Sequence, residues 1–188
     1  MGTLTYRDVV EVKLVELMLA VKDWKSVVDG LKKLASDARS GLLKKSEGAR
    51  WAGLNATVTH EFVRKTVKEF EDLYQEASNI WAILDDSYGQ LTEIQDKVNR
   101  IVNEATVHGF KVSVNSDGTV SFDVPDGDES RLAQHSARLY ADSVDQQIRR
   151  AVTTDHLVKR ALAKVHGGDP SDAGHAQYHG LRDITGEP

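Results

Sequence analysis

Gly48-Ala49-Arg50-Trp51-Ala52-Gly53-Leu54-Asn55-Ala56-Thr57 lies between two long runs of helix-type apolar periodicity, and the reading of the whole chain turns on it. Gly53 permits the backbone angles of a tight reversal, and Trp51 supplies a large ring able to cover the open end of the helix pair so joined. Two readings stand at this point. One is a plain helix-helix connection whose tryptophan is packed; the other is a recognition tip in which Trp51 and Gly53 are read by another protein.

Upstream of this stretch, Thr5 or Asp8 can cap a helix that meets no proline before about Leu43. Val10, Leu14, Leu17, Val21, Trp24, Val28, Leu31, Ala35, Ala38 and Leu42 recur at alternating spacings of four and three, the heptad seam of helices packed side by side. Glu11, Lys13, Lys22, Asp29 and Lys32 fall off that seam and read as a solvated face. Downstream, Thr57 or Thr59 can cap a second helix reaching to about His108. Its seam runs through Phe70, Leu73, Ala77, Ile80, Leu84, Ser87, Leu91, Ile94, Val98, Ile101 and Ala105. Two seams joined by a short turn predict an antiparallel helical hairpin over 5–108, with Trp24, Phe70, Ile80 and Leu84 as its seam interface. Phe62, Val63, Val67, Tyr74, Trp81 and Tyr88 widen the stripe, so a second apolar flank needs a cover from this chain or another.

His108-Gly109 ends the second helix with a glycine cap. Phe110-Lys111-Val112-Ser113-Val114 and Val120-Ser121-Phe122-Asp123-Val124 each alternate apolar with polar residues around Asn115-Ser116-Asp117-Gly118, which predicts a β-hairpin over 110–124 leaning on the helices. Asp128 can cap the next segment, one or two further helices over 128–166 with a possible break at Thr153-Thr154-Asp155. The fold class is therefore mainly α: a long antiparallel helical hairpin with a small β-hairpin and one or two C-terminal helices packed on it. Residues 1–167 are expected to form a single elongated helical domain and 168–188 a flexible tail, because apolar periodicity stops at Gly167-Gly168.

The 188 residues carry a net charge of −5, which supplies no positive field for nucleic acid, and no cysteine, which removes disulfides, thiolate metal sites and cysteine nucleophiles. No apolar run is long enough to span a bilayer, so membrane insertion is not expected. The opening Met1 to Asp8 lacks a basic region followed by an apolar core, so an ordinary secretory signal is not expected there. His175 and His179 stand four apart near His166, Asp169 and Asp172, yet Gly174 and Gly180 flank them, and neither a metal nor a cofactor is expected. Asp85-Asp86, Glu69, Glu71, Asp72 and Glu76 read as solvated helix surface. His60-Glu61 has no nucleophile elbow or phosphate loop beside it, so the chain is expected not to be an enzyme. Lys32-Lys33 and Lys44-Lys45-Arg50 give the hairpin tip a basic cast.

Trp51-Ala52-Gly53 between two long seams, together with Leu4-Thr5-Tyr6-Arg7-Asp8-Val9 and the segment from Trp24 to Phe62-Val63, resembles the WXG family of helical-hairpin substrates of type VII (ESX) secretion, in its longer actinobacterial form. The likeness of the hairpin covers about residues 5 to 108; residues 109 to 167 resemble a strand hairpin and helix that some such proteins append. The resemblance implies a secreted substrate or partner-binding module, paired with itself or a related WXG-like protein. It also implies Trp51 and Gly53 as part of what a secretion motor or an effector reads. Export would take a non-classical route, after residence in the cytoplasm. In the family the partner carries a Tyr-x-x-x-Asp/Glu signal. Here no tyrosine has an acid four residues on: Tyr140 is followed by Val144 and Tyr178 by Arg182. A cytoplasmic helical scaffold or chaperone-like module that binds a toxin or effector is the alternative that departure raises.

Overall fold

The structure, a computed structural model, describes residues 4–48, 54–128, 130–166, 179–181 and 183. Its elements are α1 (Tyr6–Glu11), α2 (Leu14–Asp37), a π-helical turn (Ala38–Leu43), α3 (Lys44–Gly48), α4 (Leu54–Val107), β1 (Lys111–Val114), β2 (Val120–Asp123) and α5 (Arg131–His166). The expected class holds: mainly α, with a helical hairpin, one two-stranded antiparallel sheet and a C-terminal helix packed on the bundle. Contacts gather into two units, one of 1–17 with 87–157 and the other of 18–86 with 158–188.

In the first unit, Ile94, Val98 and Ala105 of α4, Ala137, Val144, Ile148 and Ala151 of α5, Val9 of α1, and Phe110 and Phe122 of the strand hairpin form one apolar cluster. The α4 members come from the heptad positions expected, as they do in a helix that buries one stripe. Gly109, at φ +85°, ends α4: its N–H bonds the Thr106 carbonyl at 2.9 Å and that of Phe110 bonds Ala105 at 3.0 Å, the paired bonds of a glycine-terminated helix. The strands pair as expected, Lys111 with Asp123 through Val114 with Val120. Gly118, at φ +84°, closes their turn with its N–H on the Asn115 carbonyl at 3.0 Å. Phe110 and Phe122 pack on the Tyr140 ring of α5 at centroid distances of 5.4 and 5.6 Å. That contact supports a hairpin too small to stand alone.

In the second unit α2 and α4 run antiparallel. The Trp24 indole donates to the Ala77 carbonyl at 2.9 Å, Lys25 lies 4.8 Å over the Trp81 ring, Arg39 pairs with Glu71 at 2.6 Å and Arg64 with Glu47 at 3.8 Å.

Several boundaries depart from the sequence reading. The first helix is not continuous from Thr5: Thr5 caps α1 with Asp8 in a reciprocal box, and the chain then breaks at Val12, whose ψ is 127°. Gln95 holds the break from α4, its amide donating to the carbonyls of Val9 at 2.9 Å and Val12 at 3.0 Å. The same run also continues past Leu43 to Gly48. The π-helical turn adds a residue to the helical repeat there, so the seam slips: Leu42 is exposed, and Leu43 (half-buried) and Ser46 (buried) turn inward instead. Helix α4 begins at Leu54, ahead of Thr57 and Thr59. Ser130, not Asp128, caps the next helix, receiving the Ala133 N–H at 3.1 Å, while Asp128 receives that of Ser130. That helix, α5, is single. Thr153 returns its hydroxyl to the Arg149 carbonyl and Thr154 is buried on Gln90, so the Thr-Thr-Asp stretch does not break it.

Candidate interaction surface

The Trp51-Ala52-Gly53 turn, and Arg50 before it, lie outside the described residues; what is described is the pair of helix ends on either side, Gly48 and Leu54. Beside those ends Glu47, Thr57, His60, Glu61 and Arg64 line an open cleft of about 720 Å³. The cleft brings two carboxylates, an imidazole, a guanidinium and the Thr57 hydroxyl to one polar surface.

Of the seam residues, Trp24, Phe70, Ile80 and Leu84 are all half-buried, whereas Leu73 between them is exposed. The Trp24 indole bonds the Ala77 carbonyl and Lys25 lies over the Trp81 ring; both tryptophans are half-buried. The deepest α4 side chain of this unit is Ile83, fully buried, with Asn79 and Ala82 beside it. Ile83 and Asn79 lie on the face of α4 away from Ala77 and Val67, and sequence reasoning passed them over because the α2-facing seam accounted for the heptads. Phe62 of the widened stripe is exposed, Val67 is buried, and Val63, Tyr74, Trp81 and Tyr88 are half-buried.

Within the stretch read as a tail, His179, Gly180, Leu181 and Asp183 are described, and Leu181 is fully buried. Its N–H donates to Asp86 Oδ2 at 3.0 Å, so Asp86 is not simply solvated helix surface. A β-carbon at Gly180 would stand 2.9 Å from the same oxygen, so a side chain there would displace the Asp86 carboxylate. A lone leucine among glycine, histidine and aspartate has no periodicity, and its attachment carries no sequence signal beyond its being apolar. His175, Asp169 and Asp172 lie outside the described residues, and the backbone N–H of His179 donates to Asp183. Among the described residues no three potential metal-ligating side chains converge, and no helix is long and apolar enough to cross a membrane.

The first unit has its own cleft, about 450 Å³, floored by Leu4, Ile148 and Val152 and rimmed by Asp117, Asp145 and Arg149. Arg149 and Asp145 neutralise each other at 2.6 Å, and the hydroxyl and amide of Thr119 hold the Asp117 carboxyl below its ordinary range. Nearby, Lys97 first and Arg150 second hold Glu93 low, and the Arg150–Glu93 pair at 3.5 Å ties α5 to α4.

No protein-family profile, curated protein or solved structure matches the chain.

Proposed function

We propose that this chain is a non-enzymatic, partner-binding helical module of WXG type, acting as a substrate or accessory of type VII secretion through its hairpin. The observation that carries the reading is positional. Trp51-Ala52-Gly53 falls in the sequence between Gly48, where α3 stops, and Leu54, where α4 starts, and α2 and α4 run antiparallel with the half-buried Trp24 and Trp81 in contact across them. Short connections between packed helices are common places for recognition residues.

The absent Tyr-x-x-x-Asp/Glu pattern gives the role a direction: a second protein supplies that signal, and this chain supplies the tryptophan-glycine tip. Export measured in the native host with and without its secretion locus tests the reading, using Trp51→Ala alongside the unaltered protein. Loss of extracellular protein in the locus deletion, and retention of a folded Trp51→Ala variant inside the cell, is expected. Protein confined to the cytosol in every strain, co-purifying with an effector, would replace it with the scaffold or chaperone-like reading.

A further inference from the structure

Three separate stretches of chain build the cleft of the first unit. Leu4 and Thr5 lead into α1, Asp117 and Thr119 stand in the turn between the strands, and Asp145 to Thr153 present one face of α5. Close contacts hold these pieces together. The Tyr6 N–H meets the Gly118 carbonyl at 3.4 Å, and Thr5 lies so near that turn that a β-carbon at Gly118 would stand 2.6 Å from its Cγ2. Ile148 belongs to the apolar cluster of the unit, so the floor it forms with Leu4 and Val152 is anchored in the core.

The polar groups around that floor select an occupant. The Thr5 hydroxyl donates to Asp8 at 2.7 Å, that of Thr119 to Asp117 at 2.6 Å and that of Thr153 to the Arg149 carbonyl at 3.0 Å, so their protons are spent within the protein and only lone pairs are left to offer. Arg149 is engaged by Asp145 at 2.6 Å, one turn away on α5. Asp117 has no cationic partner among the described residues; the hydroxyl and N–H of Thr119 both end on its Oδ1 and fix the carboxylate in place. Two carboxylates against one guanidinium leave the lining with one negative charge. An anion would meet Asp117 with the lining guanidinium already taken. We infer that the cleft binds a small organic monocation, an ammonium head on an aliphatic body, with the head at Asp117 and the body on Leu4, Ile148 and Val152. Its volume of about 450 Å³ is in the range of small-molecule sites, which pair an apolar bed with a few placed polar groups. The inference rests on the first unit alone and not on the secretion reading.

The test is an NMR titration of the full chain with hexylammonium, beside butylammonium, 1-hexanol and hexanoate. Hexylammonium is expected to give saturable shifts grouped at Leu4, Asp117, Thr119, Ile148 and Val152, with a dissociation constant of about a millimolar. Butylammonium should bind about threefold or more weakly, because two methylenes leave the floor. Asp117→Asn keeps an acceptor for Thr119 and removes the charge; it should weaken hexylammonium about three- to fivefold, the range of an exposed ion pair, and leave 1-hexanol unchanged. Amide shifts away from the cleft should show that variant to be as folded as the parent. Absence of saturable binding overturns the inference, and because residues 1–3 are kept, a cleft closed by its own chain would count against it too. Hexanoate binding as tightly as hexylammonium overturns it as well, as does an Asp117→Asn variant that binds the amine like the parent.

Discussion

Replacing Gln95 by methionine tests whether one side chain holds the break between α1 and α2. Methionine keeps the length of glutamine and removes its donors. The Gln95 amide has two N–H bonds to give; they go to the carbonyls of Val9 at 2.9 Å and Val12 at 3.0 Å, with Val10 a weak third at 3.4 Å. The Val12 carbonyl is at the surface, so water replaces the amide there and the loss is about 0.5 to 1 kcal/mol. The Val9 bond is partly buried and Val9 itself is 6% exposed, so its carbonyl stays under-satisfied, at about 1 to 2 kcal/mol. The sum is about 2 kcal/mol, or about thirtyfold in a local opening equilibrium. Amide exchange at Val9, whose N–H bonds the Thr5 carbonyl at 3.2 Å, reads that opening directly. Gln95→Glu sharpens the test: at neutral pH it turns a donor into an anion facing carbonyl oxygens, so it should open α1 further than methionine does, and acidification should restore part of the protection as the carboxyl regains a proton to donate. Exchange at Val9 within about threefold of the parent in both variants would refute the assignment of the break to Gln95.

Gly118→Ala should cost more than Gly127→Ala, because both sit at positive φ but only at residue 118 would the new β-carbon stand 2.6 Å from Thr5 Cγ2; about 1 kcal/mol is expected at Gly127 and about 2 or more at Gly118, read by urea denaturation. Leu181→Ala should destabilise the second unit by about 2 to 4 kcal/mol, because the side chain is fully buried, and thermal unfolding would show it. Acid should loosen the start of α1: the Thr5 hydroxyl, then the Thr5 N–H, holds the Asp8 carboxyl below its ordinary range, so its contribution is present above the unfolded carboxyl pKa and is lost as pH falls through the lower folded value. Amide chemical shifts of Thr5 and Asp8 tracked through that range check it, and Asp8→Asn should abolish the dependence.

The parts of the fold that the sequence makes legible are those specified by neighbours in the chain. Gly109 ends α4 because the two residues beyond the last turn need one left-handed backbone, and Asn115 to Gly118 close the strands for the same local reason. The break at Val12 has no such marker. Neither proline nor glycine stands there, and its carbonyls are satisfied from Gln95, a residue distant in sequence. The slip at the π-helical turn is invisible for a related reason: Ala35, Ala38 and Leu42 keep a regular spacing in the sequence, and only a local widening of the helix turns Leu42 out and Ser46 in. Of the candidate site, Trp24, Phe70, Ile80 and Leu84 are half-buried, while Trp51 and Gly53 lie outside the described residues.

Periodicity identifies that a helix has an apolar face and says little about what covers it. Helix α4 carries two such faces in the second unit. One, with Val67 and Ala77, meets the antiparallel α2, as the Trp24 bond to Ala77 marks; the other runs from Val58 through Phe62 and Leu73 to Ile80 and Ile83. A sequence pattern weighs both faces alike, and assigning Leu73 to the first because it falls on the heptad count is the error this produces. Burial separates them, because exposure on the second line falls from Phe62 at 68% to Ile83 at zero as one moves toward the part of α4 that the chain covers for itself. That gradient is set by packing between elements distant in sequence, which no heptad count contains.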